Sequence, residues 1–251
     1  MDNIILKENE KIEDLQCKGL KIIQNKKWFC FGMDAVLLAN YCDLKKGSKV
    51  ADLGTGTGII PILLSGKKDI SKVIGIEIQK EVAEMAIRSV KMNNLEDKIN
   101  ILNIDLKDAE EYLEINSFDA VVTNPPYKLP NSGIINPSDK KAISRHEVKC
   151  TLEDVIKISS RLLKHHGRLF MVHRPQRLVD IMCLLRQYKL EPKNIRLVHS
   201  KVGEKPNMML IKAVKAANSE LKFEKPLYVY NDDGSYTDEI YKIYDLNKIR
   251  R

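Results

Sequence analysis

Val50-Ala51-Asp52-Leu53-Gly54-Thr55-Gly56-Thr57-Gly58 is the stretch on which the fold of this chain turns. Its first four residues read as a short buried strand. The alternate glycines free the backbone to turn sharply and let a ligand approach the main chain closely. An apolar helix from Ile59 to Leu64 follows, with Gly66 as its expected stop. Strand, glycine turn and buried helix in that order form the opening of a βαβ unit.

The same alternation continues outward. Val73–Glu77 reads as a second strand. Gln79–Met92 is amphipathic, with Val82, Ala83, Ala86, Ile87 and Val90 on one face and Glu81, Glu84, Arg88 and Lys91 off it. Ile99–Asn103, Phe118–Thr123, Arg168–Val172, Ile195–His199 and Met208–Lys212 read as further strands, and Leu152–Leu163 and Gln176–Gln187 as further helices. The pattern predicts an α/β fold, a mostly parallel seven-stranded sheet with helices on both faces, in a single domain over residues 1–251. Residues 1–30 are expected to form an N-terminal extension with a short strand or hairpin. Phe31–Ala39 reads as a turn entering a buried helix with Asp34 at its cap. Residues 128–150, long, polar and punctuated by Gly and Pro, are expected to be a substrate-side insertion, and 216–251 a C-terminal tail.

The net charge of +8 is concentrated: Thr151–Lys215 holds 14 Lys and Arg against 5 Asp and Glu, which leaves the rest of the chain near neutral. A one-sided basic region suits a polyanionic partner such as nucleic acid. No apolar run is long enough to span a bilayer and the N-terminus has no secretory pattern, so a cytoplasmic location is expected. The five cysteines form no C-x-x-C pair, which argues for free thiols rather than a disulfide framework or a metal site. His165, His166, His173 and His199 receive no functional role.

The glycine turn departs from the dinucleotide pattern G-x-G-x-x-G, because Ile59 stands where its last glycine belongs. It therefore need not serve a pyrophosphate, which disfavours a nicotinamide dehydrogenase. Glu77, ending the second strand, is placed to accept hydrogen bonds from ribose hydroxyls. Asp105, after the third strand, stands where a helix N-cap is expected.

Asn124-Pro125-Pro126-Tyr127 directly follows the fourth strand. Its prolines lack backbone donors, so carbonyls and the Asn124 side chain are left as acceptors at the sheet edge. Those acceptors suit an exocyclic amine, whose lone pair is delocalised into its ring. With both N–H groups held, nitrogen is favoured to rehybridise and its lone pair is aimed. Tyr127 adds a flat surface on which a base can stack.

Asp52-Leu-Gly-Thr-Gly-Thr-Gly58 and Asn124-Pro-Pro-Tyr127 resemble motifs I and IV of the Rossmann-like class I amino-group methyltransferases. Gln24, Phe31-Gly-Met-Asp34, Ser144-Arg145-His146-Glu147, Gly167–Pro175 and Leu227–Thr237 extend the resemblance to the bacterial tRNA1(Val) adenosine-37 N6-methyltransferase family, over roughly residues 24–237. The resemblance implies S-adenosylmethionine as cofactor, S-adenosylhomocysteine as product and no metal. It implies a cofactor set of Asp34, Asp52, Gly54, Thr55, Gly56, Gly58, Glu77, Ile78, Asp105, Leu106 and Asn124. Asn124, Pro125, Pro126 and Tyr127 would be catalytic, and Tyr127, Arg145, His146 and Arg174 would bind substrate. The implied partner is tRNA, met by a monomer. Protein glutamine amide, rRNA guanine N2 and DNA adenine stay open as alternative acceptors, as does a non-enzymatic RNA-binding protein with a vestigial pocket.

Overall fold

A computed structural model describes residues 5–27, 32–127 and 150–246. The chain opens with an antiparallel hairpin, β1 (Glu10–Asp14) and β2 (Lys21–Asn25). Helix α1 (Met33–Tyr41) leads into β3 (Ser48–Leu53), α2 (Ile59–Lys67), β4 (Ile70–Ile76), α3 (Lys80–Met92) and β5 (Ile99–Leu102). A one-turn helix α4 (Ala109–Tyr112) precedes β6 (Phe118–Thr123). Then come α5 (Leu152–Leu162), β7 (Leu163–His173), α6 (Leu178–Gln187), and the antiparallel pair β8 (Leu190–His199) and β9 (Pro206–Lys215). The tail adds β10 (Lys222–Phe223), β11 (Leu227–Tyr228) and α7 (Asp238–Ile243).

The strand order is β10-β8-β9-β7-β6-β3-β4-β5, with β11 also on β8. Strands β5, β4, β3, β6 and β7 are parallel; β9 runs antiparallel between β7 and β8. The expected seven-stranded sheet is thus present, lengthened to nine by the two short tail pairings.

Alternate residues of each strand feed opposite layers, as period-2 geometry requires. Val50, Ala120, Val122, Phe170 and Val172 pack under α1, α2 and α3, with Leu227, Val229 and Ile240 of the tail. Ala51, Leu53, Val121, Leu169 and Met171 pack under α4, α5 and α6. Both faces are covered, which is why the central strands read as continuous apolar runs.

Three expectations need correction. Gly66 does not stop its helix; α2 runs on to Lys67. A Cβ on Gly66 would lie 2.4 Å from Leu20 Cδ1, so the glycine makes room for the loop of the N-terminal hairpin. Asp34 is not the cap of α1, a place taken by Gly32, but lies within the first turn. Strand β7 starts five residues before Arg168, directly at the end of α5 with no loop between. Among the described residues the cysteines are free, and no helix is long and apolar enough to cross a membrane.

Candidate active site

From β3 the sheet is built outward in both directions, to β4 and β5 on one side and β6 and β7 on the other. The crevice at such a switch point, outside the carboxyl ends of the strands, is where open α/β sheets take ligands. Two segments meet there. One is the glycine turn after β3; the other is Asn124-Pro-Pro-Tyr127 after β6. They are tied at their base, where the Thr123 hydroxyl donates to the Leu53 carbonyl at 3.0 Å.

The turn is fixed by backbone bonds. Gly54 and Thr55 N–H both donate to the Ile76 carbonyl, at 3.0 and 2.9 Å. Gly54 and Gly56 have φ of +76° and +56°, and a Cβ on either would meet nothing within 4 Å. The backbone there is consequently open to a ligand rather than pressed against protein. Gly58 serves differently: its φ is +87° and a Cβ would lie 3.3 Å from Ala86 Cβ, so it permits close packing on α3.

Asp52 is fully buried, and neither its carboxylate oxygens nor the Thr55 hydroxyl has a hydrogen-bond partner. Burial pushes the Asp52 carboxyl up to about 7; the nearby Thr55 hydroxyl tempers the rise and the charge of Glu77 adds to it. Buried acceptors left unpaired are exceptional. This pair fits a ligand that brings donors or positive charge.

Glu77 is buried and supports the turn itself, accepting from Gly56 N–H at 3.0 Å and Gln79 N–H at 2.9 Å. A carboxylate has about four acceptor sites, so ribose hydroxyls can still be received. Ile78 beside it is half-buried. Asp105 caps the short turn at Leu106, accepting from Lys107 N–H at 3.0 Å, so the structural half of its reading is realised. Leu106 is buried in the second core layer.

Around Asn124 the groups form one network. Asn124 Nδ2 donates to Asp34 Oδ2 at 3.1 Å. A carboxylate can only accept, so this bond fixes the orientation of the amide and presents Oδ1 as the acceptor. The Tyr127 hydroxyl lies 2.6 Å from that Oδ1 and 2.8 Å from Asp34 Oδ2. Its single proton serves one of them. Asp34 Oδ1 accepts from Ala35 N–H. Asp34, expected as a cofactor ligand, here orients Asn124. Burial and the Asp34 carboxylate raise the Tyr127 hydroxyl far above the usual phenol range, so it stays protonated. Pro125 is buried and Pro126 exposed.

The guanidinium of Arg174 lies over the Tyr127 ring at 4.9 Å and donates to the Asn207 carbonyl at 2.8 Å. Other arginines of the basic region are spent on ion pairs: Arg168 with Asp43, Arg177 with Asp180, Arg196 with Glu239. The region is therefore less uniformly available to a polyanion than its composition suggests. Arg145, His146, Phe31 and most of the 128–150 insertion lie outside the described residues.

His173 was missed by sequence reading. It is the last residue of β7, fully buried, with its ring edge-on to Tyr127 at 5.2 Å between centroids. No local signal marks it, since an apolar strand ending in His is compatible with a packed core residue.

Comparison with known proteins agrees with this architecture. A chain from Porphyromonas gingivalis named tRNA1(Val) (adenine(37)-N6)-methyltransferase is 28% identical over 220 residues, covering 84% of this chain and 86% of that one. One of the same name from Dyadobacter fermentans is 26% identical, covering 80% and 82%. Among solved structures, a chain described as a predicted O-methyltransferase from Agrobacterium tumefaciens superposes with a TM-score of 0.70 at 25% identity, over 85% of this chain and 96% of that one. An O-methyltransferase from Thermotoga maritima, at 18% identity and a TM-score of 0.54 over 77% and 68%, shares the fold. The family model described as Methyltransferase small domain matches residues 31–188, more than half of the chain. The chain belongs to the methyltransferase small domain family.

Proposed function

We propose that this enzyme methylates the exocyclic N6 amine of adenosine in tRNA, with S-adenosylmethionine as donor and the anticodon-loop adenosine 37 of tRNA(Val) as target. The reading rests chiefly on one juxtaposition: Asn124, with Oδ1 presented as acceptor, stands one residue beyond the Thr123–Leu53 tie that roots the open glycine turn. The names of the relatives support the choice of base and RNA.

The residues fit the cofactor. Open glycine backbone at Gly54 and Gly56, unpaired buried acceptors on Asp52 and Thr55, and Glu77 at the end of β4 suit an amino acid, a sulfonium and a ribose. S-adenosylmethionine, when bound, supplies an electrophilic methyl group. The chain's own contribution is to bind and orient the acceptor. Asn124 Oδ1 and the Pro125 carbonyl accept the two N–H bonds of the amine, which favours the tetrahedral nitrogen of the transition state. Tyr127 exchanges its bond to Asn124 for a stacking contact with the base. No residue needs to act as a strong base, because the product ammonium loses its proton readily to water. Arg174 contributes positive charge beside the base, and we read the enzyme as a cytoplasmic monomer.

The test is transfer of radiolabelled methyl groups to total tRNA, total rRNA and release factors, followed by nucleoside and amino-acid analysis. N6-methyladenosine in tRNA is the expected product. Label in guanine N2 or in a protein glutamine would overturn the reading.

A further inference from the structure

We propose that His173 is a specificity-determining residue whose Nε2–H donates to a ring nitrogen next to the amine of the substrate base. The inference rests on the adenosine reading above and refines it.

The position comes from the sheet. Met171 of β7 lies opposite Thr123 of β6, so His173 and Asn124 emerge at the same carboxyl edge. Tyr127 connects them, its ring against His173 and its hydroxyl 2.6 Å from Asn124 Oδ1. The protonation state follows from a backbone bond. His173 Nδ1 accepts the Arg174 N–H at 2.8 Å, so it carries no proton, and the neutral ring bears its proton on Nε2. Burial and the positive charge of Arg177 lower the imidazole pKa to about 4, which keeps the ring neutral at physiological pH.

That Nε2–H has no hydrogen-bond partner among the described residues, although it is buried. Buried donors are nearly always paired, and one that is not calls for an acceptor brought from outside. The histidine is committed as a donor, close to a side chain committed as an acceptor. Adenine offers the matching edge: its amine donates, and N1 and N7 on either side accept. Guanine does not match as well, since its N2 amine is flanked on one side by N1–H, a donor that would face another donor. Tyr127, now lying between the two groups, must move for the base to enter.

The experiment uses the full-length enzyme and RNA carrying adenosine, 1-deazaadenosine or 7-deazaadenosine at the target position. Each deaza base replaces one ring nitrogen by C–H. kcat/KM is measured for the wild type and for His173→Phe. One deaza substrate is expected to lose about 10- to 100-fold with the wild type, the worth of a single hydrogen bond, and to lose nothing further with the variant. Any intrinsic change in amine reactivity is common to both enzymes and cancels in the comparison. Equal losses in both enzymes would overturn the proposal while leaving adenosine methylation intact. Absence of transfer to adenosine RNA by the wild type would instead overturn the underlying reading, and this one with it. Calorimetric binding of S-adenosylhomocysteine reports whether the variant is folded. If it is not, the wild type decides alone: neither deaza base losing more than about threefold refutes the proposal.

Discussion

Replacing Asp52 with Asn should stabilise the cofactor-free protein at alkaline pH and weaken its cofactor binding. The buried carboxyl titrates near 7 instead of 3.8 because burial disfavours its charge. The native state therefore holds the Asp52 proton more tightly than the unfolded chain does. Relative stability is full below about pH 4, declines as pH rises, and is at its lowest above about pH 7. The rise corresponds to about 4 kcal/mol at most. Between pH 5 and pH 8 the wild type should lose about 2–3 kcal/mol through this group alone. Asn at the same place does not titrate, though its buried amide costs about 1–3 kcal/mol if unpaired. The stability difference between variant and wild type, from urea unfolding at both pH values, should thus shift by about 2–3 kcal/mol in favour of Asp52→Asn at pH 8. Calorimetry with S-adenosylmethionine should show the converse. Wild-type affinity should fall up to about tenfold per unit below pH 7 as the carboxylate is protonated, with no such slope in the variant. A stability difference independent of pH would refute the argument that burial outweighs the nearby Thr55 hydroxyl in governing this residue.

Asn124→Ala should abolish methyl transfer with cofactor affinity nearly unchanged; loss of affinity with normal turnover per bound site would remove Asn124 from its role. Asp34→Asn should behave similarly, because the residue 3.1 Å from Asn124 Nδ2 would no longer dictate the amide orientation. A fall in cofactor affinity measured by calorimetry would show instead that Asp34 serves the cofactor. Arg174→Glu should weaken tRNA binding and reduce the slope of log affinity against log salt by about one, whereas Arg168→Glu, which breaks a pair with Asp43, should leave the slope unchanged in filter-binding titrations. Gly58→Ala should cost about 1–3 kcal/mol in urea unfolding, from the left-handed φ and the approach to Ala86.

The central strands were readable because both of their faces are buried, and continuous apolar runs between glycine and polar punctuation have few other uses. Strand β6 was read to the residue for that reason. Strands β8 and β9 extend beyond their apolar centres into Glu191, Pro192 and Lys215, where hydrogen bonding to a neighbour, not hydrophobic pattern, sets the ends. In helix α2 the local signal of Gly66 is a stop, whereas the glycine is there because a distant loop needs the space. At the site, the motif residues after β3 and β6 were legible as a spacing. The bond that Asn124 donates to Asp34 was not, since it joins positions 90 residues apart. His173 was invisible for a related reason: its meaning comes from Tyr127 beside it and from a main-chain N–H, neither of which a residue type records.

The segment after Lys215, which follows the residues 31–188 matched by the family model, carries weight out of proportion to its few short elements. Leu227, Val229, Ile240 and Ile243 complete the layer over α1, and Tyr244, just past the end of α7, is close enough to feel the charge of Asp34. Ending the polypeptide after Lys215 would bare that layer and remove a neighbour from the very carboxylate that aligns Asn124. A version shortened to end at Lys215 should therefore precipitate or unfold, and whatever remained dissolved would be a poor guide to the chemistry of the intact molecule.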